Sequence, residues 1–326
     1  MGSVTGRIVA SRYRLMRSLE QSTLCATYEA HDLEMRERVA VELLACPPGA
    51  QRPAAAQLAD EAQRLVDTRH PGLRVVRAIG VEGGFPFIVA DAVTGKSLRN
   101  RITRGGPLAV ADSVSIALQV IEAVGAAHRA SLVHGNIAPA KIRLLEGPDG
   151  AHVARLMGLG VSALFRAMGG VDLRRLCKAR YLAPELLGGG EAPSELTDVW
   201  QLGLLLFEML TGTRAYDGAS VEEVARQIHA SKFLPVRQPG AQIPLSLERI
   251  VNAALARSPD QRLSLRDLRR ALLSVREELE SPGDRTARMP GAPSRGPTVV
   301  TVSDPCDDPH GTTDLHVYIE TDPDWG

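Results

Sequence analysis

The chain has 326 residues, 44% hydrophobic and 23% charged, which suits one large two-lobed domain or two domains with ample core. Lys+Arg 38 and Asp+Glu 38 cancel to +0, a balance that argues against a dominant role on nucleic acid or an anionic membrane surface. Cys25, Cys46, Cys177 and Cys306 follow neither a disulfide nor a metal-ligand spacing, which fits a reducing compartment. Met1–Ala10 lacks the charged start and apolar block of a secretory leader, and the apolar stretch Val199–Leu210 is too short to span a bilayer. A cytoplasmic protein without membrane insertion is expected. Residues 281–326 carry three Arg against eight Asp/Glu, net −5, which leaves +5 on residues 1–280.

Short alternating runs rich in β-branched residues predict strands at Arg12–Leu19, Cys25–His31 and Arg38–Leu44. A proline-containing loop over 47–53 precedes a helix at Ala54–Thr68, and two more strands follow at Leu73–Glu82 and Phe85–Asp91. From Ser97 onward helical patterns dominate: Pro107–Ala130, Thr197–Thr211, Ser220–His229, Pro244–Leu255 and Ser264–Glu280. A strand-rich first third and a helix-rich remainder predict an α+β protein with two lobes. Residues 281–298 read as a flexible Pro/Gly/Ser/Arg linker, and 299–326 as an acidic tail, disordered or pairing Val299–Val302 with His316–Glu320 on a partner.

The motifs add an identity. Arg-Tyr-Arg-Leu at 12–15, Arg-Val-Ala-Val-Glu-Leu-Leu at 38–44, Gly-Pro-Leu at 106–108 and Leu-Val-His-Gly-Asn at 132–136 come first. Gly-Leu-Gly at 158–160, Arg-Tyr-Leu-Ala-Pro-Glu at 180–185, Thr-Asp-Val-Trp-Gln-Leu-Gly at 197–203 and Ser-Pro-Asp-Gln-Arg at 258–262 follow. In this order they resemble the bacterial Ser/Thr protein kinases of the Hanks type, over about residues 7–280. The resemblance implies a bilobal kinase-like fold: a small β-rich N-lobe over about 7–91, a hinge at 91–95 and a larger helical C-lobe over 96–280.

Each working part of that family has a physical task, and here most of the side chains differ. The three glycine positions of the phosphate-covering loop hold Glu20, Ser22 and Cys25. A carboxylate there repels a phosphate a few ångströms away by roughly 1–4 kcal/mol. The lysine of the family's third strand is Glu42, after Val39-Ala40-Val41, while its helix partner is kept as Glu61. Two facing acids imply that Glu61 swings outward or that one carboxyl takes a proton. None of the four lysines (Lys96, Lys141, Lys178, Lys232) lies in the first-lobe sheet to replace it. In the catalytic loop Asn136 stands for the aspartate, Ala138 for the lysine and Lys141 for the metal-ligating asparagine; Gly158 replaces the metal-binding aspartate. Arg143 takes the place of the apolar adenine floor, with Ala40 also in the cleft and Ala90, a small residue, at the back of the pocket. Gly135 replaces the arginine that receives a phosphothreonine, and Ser162 and Tyr181 are the only hydroxyl side chains of 158–185.

His134, Glu185, Asp198 and Arg262 match architectural positions, with Glu185–Arg262 a buried ion pair and His134 a backbone anchor. The expectation is therefore a catalytically inactive pseudokinase, not an enzyme, with no cofactor and Mg-ATP binding absent or very weak. It would act as a signalling, scaffold or regulatory binding protein. Its partners are expected to be proteins, another kinase or a signalling protein among them, with the acidic tail docking in cis or on a partner. The alternative is a Ser/Thr kinase-family transferase with weak or unconventional ATP-dependent activity.

Overall fold

The computed structural model describes residues 5–21, 25–45, 55–83, 85–147, 150–167, 179–188, 191–230, 233–237 and 242–280. The expected loop 47–53, the linker 281–298 and the tail strands Val299–Val302 and His316–Glu320 lie outside them.

Strands β1 (Ile8–Val9), β2 (Tyr13–Gln21), β3 (Cys25–Asp32), β4 (Glu37–Leu44), β5 (Val76–Glu82) and β6 (Phe85–Asp91) form one antiparallel sheet in the order β1-β2-β3-β4-β6-β5. Because side chains alternate along a strand, Val39 and Val41 of β4 join Leu15, Tyr28 and Val89 in the core of this first lobe. Ala40 and Glu42 consequently face the other side, with Glu42 opposite Thr27 on β3 and Ile88 on β6. That face looks toward helix α1 (Ala55–Asp67) and the second lobe, whose large core begins with Leu44, Leu65 and Ile88. The pleat alone thus delivers a carboxylate to the interlobe side.

A three-stranded sheet, β7 (Lys96–Ser97), β8 (Ile142–Glu146) and β9 (His152–Leu156), joins the lobes. The expected strand at Leu73 begins only at Val76, because the chain before it pairs elsewhere. Arg74 N–H donates to Leu156 O at 2.9 Å and Leu156 N–H to Gly72 O at 2.7 Å, with Leu73 bridged to Leu156. The second lobe contains α2 (Leu98–Gly105), α3 (Val110–Arg129), α4 (Val161–Ala167), α5 (Glu195–Thr211), α6 (Val221–His229), α7 (Leu245–Ala254) and α8 (Leu265–Glu280). Helix α5 starts two residues earlier than its apolar pattern predicts, because Ser194 and Thr197 make a reciprocal capping box. It ends at Gly212, which is left-handed at φ 72°. Among the described residues one helix, α3, is long and apolar enough to cross a membrane, and 56% of its apolar window is buried in the fold. Helices α2 and α4 and strands β7 and β9 were not expected from the sequence.

Candidate functional site

The loop 134–141 hangs on α5. Asp198, fully buried, accepts from the backbone N–H of His134 at 3.0 Å and of Gly135 at 2.7 Å, and meets His128 Nε2 at 2.8 Å. One turn on, Gln201 Oε1 accepts from Ile137 N–H at 2.7 Å while its amide donates to Gly135 O at 3.1 Å and Tyr181 O at 3.3 Å. Sequence reasoning read Gln201 only as an interruption in an apolar run; a polar residue on a fully buried helix face was the available signal. His134 lies buried with Nε2 3.0 Å from Met157 O, and burial holds its imidazole below the usual value, hence neutral. It braces the loop against Met157, directly after β9.

Glu185 and Arg262 form a bidentate pair at 2.8 and 2.6 Å, and Arg262 also donates to Ala256 O, Leu196 O and Arg257 O. Burial opposes ionisation of Glu185, but the hydrogen bonds and charge of Arg262 overcome it and hold the carboxyl below its ordinary value. The two hydroxyl side chains of 158–185 are both engaged inside: Ser162 donates to His134 O at 2.8 Å and Tyr181 to Glu208 at 2.6 Å.

Between the lobes the charges sit differently from expectation. Glu42 is buried in an ion pair with Arg74, whose side chain is 4% exposed. Burial pulls the Arg74 guanidinium down to about 10, so it remains charged at neutral pH. Glu61 is turned to Arg64, one turn along its own helix. The anticipated confrontation of two acids is therefore answered by a third residue: Arg74 neutralises Glu42 from the segment before β5. This pair, 32 residues apart in the chain, was not among the expectations.

The second rearrangement spans the lobes. Glu20, near the end of β2, accepts from Lys141 Nζ at 3.1 Å. Cys25 lies near both groups and near Arg74, and burial pushes its thiol up. Ser22 lies outside the described residues. Ala138 is buried, Asn136 and Arg143 are half-buried, and Ala40 and Ala90 line β4 and β6 directly opposite one another. Gly158 and Gly160 adopt φ of 84° and 94°, which favours glycine. Leu159 between them is buried, and α4 packs on α1 directly after.

The two positions where the resemblance places metal ligands hold an ammonium, Lys141, and a glycine, Gly158. Among the described residues no group of three or more His, Cys, Asp or Glu could hold a metal ion. Magnesium needs an octahedron of oxygens, and this donor set does not fit it.

The profile of the protein tyrosine and serine/threonine kinase family matches residues 15–272. The chain belongs to the protein kinase family. Its kinase domain is 26% identical over 262 residues to the serine/threonine-protein kinase PrkC of Bacillus subtilis, covering 79% of this chain and 39% of PrkC. It is 27% identical over 281 residues to PknB of Mycolicibacterium smegmatis, covering 84% and 44%. It is 30% identical over 242 residues to PkaB of Streptomyces coelicolor, covering 71% and 55%. The kinase domain here spans about two fifths of the length of PrkC and PknB. Among solved structures, Rad53 in complex with AMP-PNP shares the fold with a TM-score of 0.64 at 17% identity, covering 79% of this chain and 64% of that one.

Two expectations are corrected by these relatives. The chain was expected not to be an enzyme, yet the relatives that share its kinase domain are named serine/threonine-protein kinases. It was expected to hold no cofactor and no Mg-ATP, yet the fold it shares with Rad53 is one seen in complex with AMP-PNP. Part of the physical reason is that Arg74 pairs with Glu42, so Glu42 and Glu61 do not face each other as uncompensated acids.

Proposed function

We propose that this chain is a signalling protein of the Ser/Thr kinase family that holds an adenine nucleotide in a rebuilt interlobe cleft. It transfers phosphate weakly and by an unconventional route, and acts largely through protein partners, other kinases or signalling proteins, in the cytoplasm. The acidic segment 281–326 is the region assigned to docking, in cis or on such a partner, by its net −5 against +5 elsewhere.

The observation that carries this reading is the contrast between the loop's support and its side chains. Asp198 and Gln201 hold residues 134–137 by their backbone, so the loop's support does not run through the side chain at 136. Asn136 then offers an amide that orients a substrate hydroxyl by hydrogen bonding but cannot take its proton. Positioned general bases contribute roughly 10²–10⁴-fold, and transfer here is expected to be slower than in a conventional kinase by a factor of that order. The PrkC, PknB and PkaB names support the chemistry, and the Rad53 complex supports the nucleotide.

Transfer of radiolabel from γ-labelled ATP to a generic protein substrate tests the reading. Slow incorporation that disappears in Asn136→Ala and in Lys141→Ala is expected. Label that persists unchanged in both variants, or never rises above a protein-free blank, removes the transferase.

A further inference from the structure

Three cationic side chains converge on the cleft: Arg74, Lys141 and Arg143. Arg74 is occupied by Glu42. Lys141 and Arg143 flank the buried Ile142 and are both partly exposed, and Arg143 stands close enough to Arg74 to repel it. Among the described residues Arg143 forms no ion pair, and Lys141 pairs only with Glu20. Glu20 reaches it from across the lobes, out of the segment that resembles the phosphate-covering loop.

We propose that Lys141 Nζ, with Arg143 beside it, is a metal-free binding site for nucleotide phosphates, and that the Glu20 carboxylate is an internal anion which those phosphates displace. The inference rests on the reading that the cleft holds an adenine nucleotide. The side chains of Lys141 and Glu20 are 24% and 38% exposed, and ion pairs of such exposure are weak. The bridge is therefore exchangeable. A di- or triphosphate brings more negative charge and more acceptor oxygens than one carboxylate, and charge-assisted hydrogen bonds to it are correspondingly stronger. Once Glu20 leaves, two cations face the cleft without an acid beside them. The ammonium then does electrostatically what a divalent ion does elsewhere, at a position with no oxygen side chain to coordinate one. Glu20 sets a threshold, since any ligand lacking phosphates gains nothing by opening the bridge.

The test is calorimetric titration of the full chain with ATP, ADP and adenosine, in EDTA and in MgCl₂, using the wild type, Glu20→Gln and Lys141→Met. ATP is expected to bind at least as tightly in EDTA as with Mg²⁺. Glu20→Gln should tighten ATP by about tenfold and leave adenosine unchanged, and Lys141→Met should weaken ATP by about tenfold toward adenosine. ATP binding that requires Mg²⁺, or that ignores both substitutions, overturns the phosphate site while the nucleotide reading stands. Binding of none of the three ligands by any variant overturns both.

Discussion

Glu42 and Arg74 are each almost wholly buried, with side chains 6% and 4% exposed, and two charges withdrawn from water are tolerable only because each meets the other. Removing one partner strands the other, at a cost of about 3–5 kcal/mol, whereas removing both replaces ions by packed hydrocarbon at little cost. Urea unfolding should therefore show Arg74→Leu destabilised by about that amount and the double variant Glu42→Leu with Arg74→Leu much less so. Additive losses in the double variant would sink the pairing. At this scale the sequence was legible where a motif fixed the local element, as for Glu42 on its strand and Asn136 in its loop. It was not legible where the partner lay 32 residues away, as Arg74 does from Glu42. A pair of that separation exists only once the sheet and the segment before β5 have been brought together.

At the scale of elements, periodicity identified what buries a stripe. Helix α8 shows it with Leu268, Leu272 and Val275 inside, and α5 with an almost wholly apolar run. Helix α4 escaped because its seven residues offer too few turns for a period to emerge. What fixes it is tertiary: Gly160 at its start lies so close to α1 that a β-carbon there would sit 2.7 Å from Leu65 Cδ1. Gly160→Ala adds that overlap to a positive φ, and strain of this kind costs about 1–3 kcal/mol. A thermal melt should fall by roughly 2–4 °C per kcal/mol in a domain of this size, while Gly150→Ala, also positive in φ but with nothing among the described residues within reach of its β-carbon, reports the backbone part alone. Equal losses in the two would remove the α1–α4 packing as the cause.

At the scale of the molecule, each lobe carries a carboxyl whose proton affinity is depressed. In the first lobe the hydrogen bonds of Arg12 hold Asp32 at about 2, and in the second Arg262 holds Glu185 below its usual value despite burial. Where folding lowers a carboxyl's pKa, the unfolded chain binds more protons in acid, so the stabilisation is complete above the unfolded value near pH 4–4.5 and is lost as pH falls toward 2. Urea midpoints measured from pH 7 to pH 3 should fall gently at first, because buried His134 resists the proton that the unfolded chain takes up, and more steeply once the carboxyls protonate. In Arg262→Ala, which also leaves Glu185 unpaired, the drop is expected to be smaller and the starting stability lower; an unchanged pH profile would separate the pair from acid unfolding. The two-lobed architecture itself was readable, because motif order survives when individual side chains do not.

The attachment of loop 134–137 to Asp198 and Gln201 has a consequence for how such a chain can change over generations. Its curvature is dictated by a neighbouring helix gripping peptide groups, which every amino acid possesses. Position 136, half-buried and outside those contacts, is accordingly released from holding the loop, and drift there alters chemistry without endangering the polypeptide's ability to find its shape.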